Sequence, residues 1–214
     1  MNISDQKSHW DILHKQGALK AFSDNPTNFA KEITKYIPPN SKILELGCGL
    51  GNDSYYFAKQ RHAVIATDFS DEAIKQNNEK YKDARRLTFK VMDMNKSPYP
   101  FKENDFDCVY SRLSLHYFSD EITRKIVKEV FRILKHNGLL FFLCKSTGDP
   151  LYGKGRLIEK DMYEFNGHIR HFFSKDYSKD LLKGKFRILK LESGMDDFYG
   201  EKSGYIKVIA KKEI

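Results

Sequence analysis

From Ser41 onward, short apolar runs alternate with stretches of helical spacing. Lys42-Ile43-Leu44-Glu45-Leu46, His62 to Thr67, Leu87 to Val91, Phe106 to Tyr110 and Leu139 to Cys144 are β-rich segments bounded by turn-forming residues, which predicts five strands. The helical stretches between them carry start and stop signals. Asn52 or Asp53 caps a helix running to Gln60, and Ser70 caps another whose first turn holds Asp71 and Glu72, acids that favour the positive end of a helix. Ile122, Ile126, Val130, Ile133 and Leu134 recur at helical spacing up to Asn137-Gly138, a C-terminal signal. Strand and helix in strict alternation predict βα units on a mostly parallel sheet, and the unbroken apolar run Leu139 to Cys144 suits a strand covered on both faces.

The flanks are read the same way. Two helices, Lys7 to Gly17 and Pro26 to Tyr36, precede the first strand. Asp93 opens a loop broken by Pro98 and Pro100, and Gly148, Pro150, Gly153 and Gly155 mark a second loop region. Ser174 to Leu182 reads as a helix, and Phe186 to Glu192 and Tyr205 to Lys211 as late strands closing the sheet edge. The expected fold class is α/β, a doubly wound, mostly parallel seven-stranded sheet with an N-terminal helical lid. Neither an internal repeat nor a linker divides the chain, so residues 1–214 are expected to form one domain: a lid (1–40), a core (41–145), and an insertion with closing strands (146–214).

Composition narrows the class. Hydrophobic residues make up 40% and charged residues 31%, with 16 Phe and 12 Tyr, the profile of a globular chain able to bury a core. No apolar run approaches the roughly 20 residues a bilayer span needs, and Met1 to Trp10 is polar, so the expected location is the cytoplasm. Cys48, Cys108 and Cys144 lack CxxC spacing and read as small buried hydrophobes, with no metal site expected. The formal net charge of +8 raises the question of an acidic partner such as RNA. Yet the charge is dispersed, with 17 basic and 15 acidic side chains up to Ser119 and 20 and 14 beyond it, and a solvated basic surface accounts for it.

The chemistry gathers at strand ends. Gly47-Cys48-Gly49-Leu50-Gly51 follows the first strand and opens a helix, where backbone N–H groups are expected to be free and side chains would block close approach. Its spacing departs from the dinucleotide pattern GxGxxG, because the third glycine comes one residue early and Asn52 stands where that pattern needs glycine. Asp68 lies 21 residues after Gly47, at the end of the second strand, where a carboxylate is placed to accept the two hydroxyls of a ribose.

Ile43-Leu44-Glu45-Leu46-Gly47-Cys48-Gly49-Leu50-Gly51 resembles the ExGxGxG first motif of class I (Rossmann-like) S-adenosylmethionine-dependent methyltransferases of the small-molecule type. The resemblance covers about Asn40 to Cys144. It implies that Glu45, Gly47, Gly49 and Gly51 hold the methionyl portion of S-adenosyl-L-methionine, that Asp68 binds the ribose, and that Phe69 packs on the adenine. Val91-Met92-Asp93-Met94 is similar to the family segment that meets the adenine amino group and ring, a role for Asp93 and Met94. Ser111 and Arg112, after the fourth strand, are expected at the methionine end, with Trp10 as an aromatic closer of the lid.

An activated sulfonium methyl asks the protein chiefly to align a nucleophile and exclude water, so a base is optional. His116 is the first candidate base, with His168 and His171 behind it. His168-Ile169-Arg170-His171-Phe172-Phe173 reads as an acceptor-pocket wall, an anion site or a structural hairpin edge. Tyr110-Ser111-Arg112-Leu113 replaces the Asn/Asp-Pro-Pro-Tyr/Phe segment that similar enzymes use on adenine in nucleic acid, and that loop holds no cysteine for attack on cytosine. The expected acceptor is therefore a small molecule, with S-adenosyl-L-homocysteine as product. Two alternatives stay open: the same chemistry on RNA or protein, and a nucleotide-binding oxidoreductase or non-catalytic module on a related fold.

Overall fold

The structure, a computed structural model, describes residues 10–16 and 25–213. Seven strands form the main sheet: β1 (Lys42–Leu46), β2 (Ala63–Asp68), β3 (Leu87–Val91), β4 (Phe106–Arg112), β5 (Leu134–Lys145), β9 (Phe186–Phe198) and β10 (Glu201–Lys212). Their spatial order is β3-β2-β1-β4-β5-β10-β9. The pairs among β1 to β5 are parallel and β10 runs antiparallel to both β5 and β9. Strand order reverses between β1 and β4, and ligands of such sheets bind beyond the carboxyl ends of the strands at that switch point.

Both faces of the sheet are covered because alternate residues point to opposite sides. Ile43, Tyr110, Phe141 and Ile209 pack with Phe29 and Ile33 of α2 (Asn28–Ile33) and Phe57 of α3 (Asn52–Lys59). Leu44, Leu46, Phe142 and Val208 face α5 (Asp120–Ile133) and α6 (Lys175–Leu182) through Ile126, Val130, Ile133, Leu181 and Leu182. A helix over residues 10–15, α1, lies against the start of α4 (Asp71–Lys80), where Ser70 Oγ donates to Asp11 Oδ1 at 2.5 Å and Gln76 Nε2 to the His14 carbonyl at 3.2 Å. The rest of the expected first helix, residues 7–9 and 17, falls outside the described residues.

Several boundaries differ from the sequence pattern. Gly51, at φ +73°, is the N-cap of α3 and supplies no side-chain bond; Asn52 is the first helical residue. Helix α5 ends at Ile133, ahead of Asn137-Gly138, because Leu134 already has extended backbone and pairs with Phe106. Asn137 (φ +63°) falls instead within an irregularity of β5, where pairing jumps from Phe106–Leu134 to Cys108–Leu139. Between β5 and α6 a three-stranded antiparallel sheet appears, β6 (Arg156–Glu159), β7 (Met162–Phe165) and β8 (His168–His171).

The last hairpin outreaches the sheet. Pairing of β10 with β5 stops at Tyr205–Lys145, whereas β9 and β10 stay paired to Phe198–Glu201. Tyr199 and Gly200 turn the tip with φ of +58° and +77°, the requirement of a primed two-residue turn. The base of this extension is clamped on the buried Asp149: Lys145 Nζ donates to Asp149 Oδ2 at 2.9 Å and to Ser203 Oγ at 2.6 Å, and the Gly204 amide donates to the same Asp149 oxygen at 2.9 Å.

Four histidines, His14, His62, His116 and His171, are buried, and burial lowers the pKa of each below its ordinary 6.5. The neutral state is visible at His62, whose Nδ1 accepts from the Ser41 amide at 3.2 Å. Once unfolded, these imidazoles bind protons below about pH 6.5 that the folded state refuses, so stability drops as pH falls through that value. Glu45 acts oppositely. Burial and neighbouring Asp53 hold its carboxyl well above the ordinary 4.5, so above that pH the folded state keeps a proton that the unfolded chain has released. Four groups outweigh one, and the thermal midpoint is expected to fall from about pH 7 to about pH 5.5, with His62→Asn flattening the slope. Circular dichroism melts check this; a midpoint that holds level or rises on acidification contradicts it.

Candidate cofactor and acceptor site

The glycine turn is built by its backbone. Gly47 and Cys48 amides both donate to the Thr67 carbonyl at 2.9 Å, the Gly51 amide to the Cys48 carbonyl at 2.9 Å, and the Gly49 amide to Asp68 Oδ2 at 2.8 Å. These N–H groups are therefore engaged, contrary to the expectation of free donors. What the turn offers instead is space. Gly49, at φ +49°, would carry a Cβ into a volume with nothing within 4 Å, whereas a Cβ on Gly47 (φ +76°) would come within 2.5 Å of Ser114 Cβ.

Asp68 is fixed from two sides, since the Ser70 amide donates to its Oδ1 at 2.9 Å while Gly49 holds Oδ2. An ionised carboxylate offers about four acceptor sites, so about two remain for a vicinal diol. Asp93 Oδ1 accepts the Asn95 amide at 2.9 Å, and the Met94 carbonyl is held by Tyr99 Oη at 2.9 Å. A cavity of about 500 Å³ passes over these tips; Trp10, His14, Gly47, Gly49, Asp68, Phe69, Asp93 and Met94 line its near part. A second cavity of about 400 Å³ shares Gly47, Gly49 and Arg112 with it and reaches Thr27, Glu45 and Asp53.

Glu45 stands at the floor of the second cavity. The Ser54 hydroxyl donates to it, and burial with neighbouring Asp53 raises its pKa well above the ordinary value. Asp53, at the start of α3, accepts from the Thr27 amide (2.7 Å), Thr27 Oγ1 (2.8 Å) and Tyr110 Oη (2.7 Å), which ties α2 to the core beside the glycine turn. Arg112 lies at the junction of the two cavities, its guanidinium 5.1 Å and 5.7 Å from the rings of Phe198 and Tyr199.

Two expected cofactor residues do not reach either cavity. Gly51 faces the core, where an added Cβ would lie 2.9 Å from the Phe89 ring, and Ser111 is buried beneath the loop with its Oγ 2.7 Å from Ser114 Oγ. Their roles are to cap and to brace. His116 and His168 line the larger cavity, while His171 packs between Phe173 and Tyr177 at ring distances of 4.9 Å and 4.6 Å. The His116 ring is buried, its Nδ1 has no hydrogen-bond partner among the described residues, and burial with Arg170 and Lys145 holds its pKa well below the ordinary value. Among the described residues no group of three or more His, Cys, Asp or Glu is placed to hold a metal, and all three cysteines are free and buried.

Sequence reasoning passed over His14, Asp53, Tyr117, Lys145 and Tyr199. Lys145 has a signal, a lone cation ending an apolar central strand; His14 and Tyr199 depend on where α1 and the hairpin land.

Residues 43–138 match the family model described as a methyltransferase domain. Residues 43–138 thus carry a methyltransferase domain. It is 30% identical over 145 residues to phosphoethanolamine N-methyltransferase 1 of Triticum aestivum, covering 64% of this chain but 29% of that protein. The chain thus spans less than a third of that curated relative. An S-adenosylmethionine-dependent methyltransferase from Methanosarcina mazei superposes with a TM-score of 0.74 at 23% identity, covering 86% of this chain and 97% of that one. The 1,6-didemethyltoxoflavin-N1-methyltransferase of Burkholderia thailandensis, solved with 1,6-didemethyltoxoflavin and S-adenosylhomocysteine, gives 0.80 at 16% identity and covers 99% and 88%. At these identities the structural likeness concerns the fold.

The residues present fit the superfamily's cofactor. Open space over Gly49 admits a backbone-hugging ligand, the braced Asp68 suits a diol, and Phe69 with the Asp93-Met94 tip suits a purine. Gly49→Ala and Gly51→Ala separate the two uses of glycine. The first should cost about 1 kcal/mol of stability, the left-handed penalty, while weakening S-adenosylhomocysteine binding at least about tenfold. Gly51→Ala should add about 1–3 kcal/mol of overpacking to that penalty. Melting and calorimetry on both variants check the pattern; unimpaired binding by Gly49→Ala contradicts it.

Proposed function

We propose that this chain transfers a methyl group from S-adenosylmethionine to a small-molecule acceptor and releases S-adenosylhomocysteine. The observation that carries the reading is the Asp68 carboxylate, braced by the Gly49 and Ser70 amides at the tip of β2 and facing a cavity that continues to a second polar wall. The cofactor supplies a methyl group already activated on a sulfonium. The protein's task is then to orient and to exclude water, worth about 7–11 kcal/mol in favourable cases. Asp68 holds the ribose, Phe69 and Asp93-Met94 the purine, and Gly47, Gly49 and Arg112 border the methionyl portion.

Acceptor-side residues come from four elements that roof the cavity: Trp10 from α1, Tyr117 after β4, Ile169 and Arg170 on β8, and Tyr199 at the hairpin tip. Such a roof suits a small molecule. The names of the wheat and Burkholderia relatives, both methyltransferases of small acceptors, support it. His116, which lines the cavity, stays neutral at physiological pH and is the candidate base, a weak one because burial and its cationic neighbours hold its pKa down. We read 41–145 as the cofactor-binding core, the described residues before it (10–16 and 25–40) as the lid and 146–213 as the acceptor-side insertion with the closing strands. No helix among the described residues is long and apolar enough to cross a membrane, and with three free thiols we place the protein in the cytoplasm.

Calorimetry with S-adenosylhomocysteine and NADH side by side tests the proposal. The first should bind and the second should not, and Asp68→Ala should weaken the first by about 1–3 kcal/mol through lost charge-assisted hydrogen bonds. Unchanged affinity in that variant would refute the ribose assignment. Steeply salt-dependent binding of tRNA or rRNA, with no turnover of small acceptors, would favour RNA as substrate.

A further inference from the structure

The wall of the larger cavity opposite Asp68 and Asp93 is built from cations and phenols: Arg112 at the end of β4, Lys145 at the end of β5, Arg170 on β8, with Tyr117 and Tyr199. Charge balance there is incomplete. Lys145 spends two of its three N–H bonds on Asp149 and Ser203, which leaves one donor. Neither Arg112 nor Arg170 forms an ion pair with a carboxylate among the described residues; Arg112 donates to Tyr199 Oη at 3.4 Å. Glu201 also lines the cavity, from the exposed hairpin tip. The buried His116 ring experiences the same imbalance, because the charges that act on it, Arg170 and Lys145 foremost, are all cationic.

Guanidinium groups drawn into a partly enclosed cavity without a counter-charge are costly, and the usual remedy is a carboxylate or phosphate that accepts from the fork. Arg112 lies where the two cavities meet, with Gly47 and Gly49 lining both, and its guanidinium is within cation–π distance of the Phe198 and Tyr199 rings. Arg170 borders the larger cavity alone, on a strand that belongs to the inserted sheet. The Tyr117 hydroxyl lies beside it, with burial pushing that phenol up to about 12, so it stays protonated and able to donate.

We propose that the methyl acceptor carries an anionic group, a carboxylate or a phosphate, which docks on Arg170 with the remaining Lys145 donor and the Tyr117 hydroxyl. This rests on reading the cavity as a methyltransferase site. The inserted β6–β8 sheet then sets acceptor specificity, while the strand tips of the main sheet set cofactor binding.

Trp10 is the chain's single tryptophan, and its ring lies 5.2 Å from Tyr117 and 6.5 Å from His168, so its fluorescence reports on this wall. Inorganic phosphate and acetate are titrated separately into the protein, with and without saturating S-adenosylhomocysteine, against potassium chloride at matched ionic strength. A saturable change with one or both anions is expected, weakened at least about tenfold by Arg170→Gln and less by Arg170→Lys, which keeps the charge but loses the fork. Tighter phosphate binding indicates a phosphorylated acceptor and tighter acetate binding a carboxylate one. No change beyond that of chloride, or equal saturation in both variants and the parent, overturns the proposal. Calorimetry of S-adenosylhomocysteine on the same samples reads the cofactor site separately: its failure refutes the methyltransferase reading, and its success with silent anions refutes this inference alone.

Discussion

Two hydrogen bonds to one carboxylate organise the candidate site. Asp68 ends β2, receives the Gly49 amide from the turn after β1 and the Ser70 amide from the start of α4, and so locks three elements at adjacent tips of the sheet. A charge so placed is oriented without being neutralised. Its field also reaches α1, where it raises the pKa of His14 against the larger effect of burial. The same anchor explains why glycine is needed beside it, since a side chain at Gly49 would fill the space the carboxylate overlooks.

Around that anchor the molecule separates its charges. Acids face the cavity at the ends of β2 and β3, Asp68 and Asp93, while arginines and a lysine face it from β4, β5 and β8. The separation follows from topology. Parallel strands deliver the acids together with Arg112 and Lys145 at their ends, and the three-stranded sheet inserted after β5 brings Arg170 across the opening. The hairpin keeps its reach because the buried Lys145–Asp149 pair fastens its base to the end of β5. Asp149 is the buried member of this pair, so removing Lys145 would leave its carboxylate without its cation at the base of the hairpin.

Much of this is legible in the amino-acid sequence. Periodicity located β1 and β3 at their observed bounds, the Ser70 cap, and the two-sided cover of Leu139 to Cys144, because each depends on local spacing and a single apolar contrast. What escaped depends on partners distant in sequence. Asn137-Gly138 carries a helix-stop signal, yet pairing of Leu134 with Phe106 ends α5 earlier and turns those residues into an irregularity of β5. Leu157 and Ile158 on β6 are exposed, so no alternation of apolar and polar residues marked that strand. At the site, the glycine spacing and Asp68 were readable, but the engagement of the turn's amides by Thr67 was not, and neither were the burial of Ser111 and the inward-facing Gly51. His14 and Tyr199 join the cavity only through the docking of α1 and the hairpin.

The most direct test of the central claim is a crystal structure of the protein with S-adenosylhomocysteine. The account places both ribose hydroxyls within hydrogen-bond distance of Asp68 and the thioether over Gly49. Electron density for the ligand elsewhere, or a ribose turned away from that carboxylate, would contradict it.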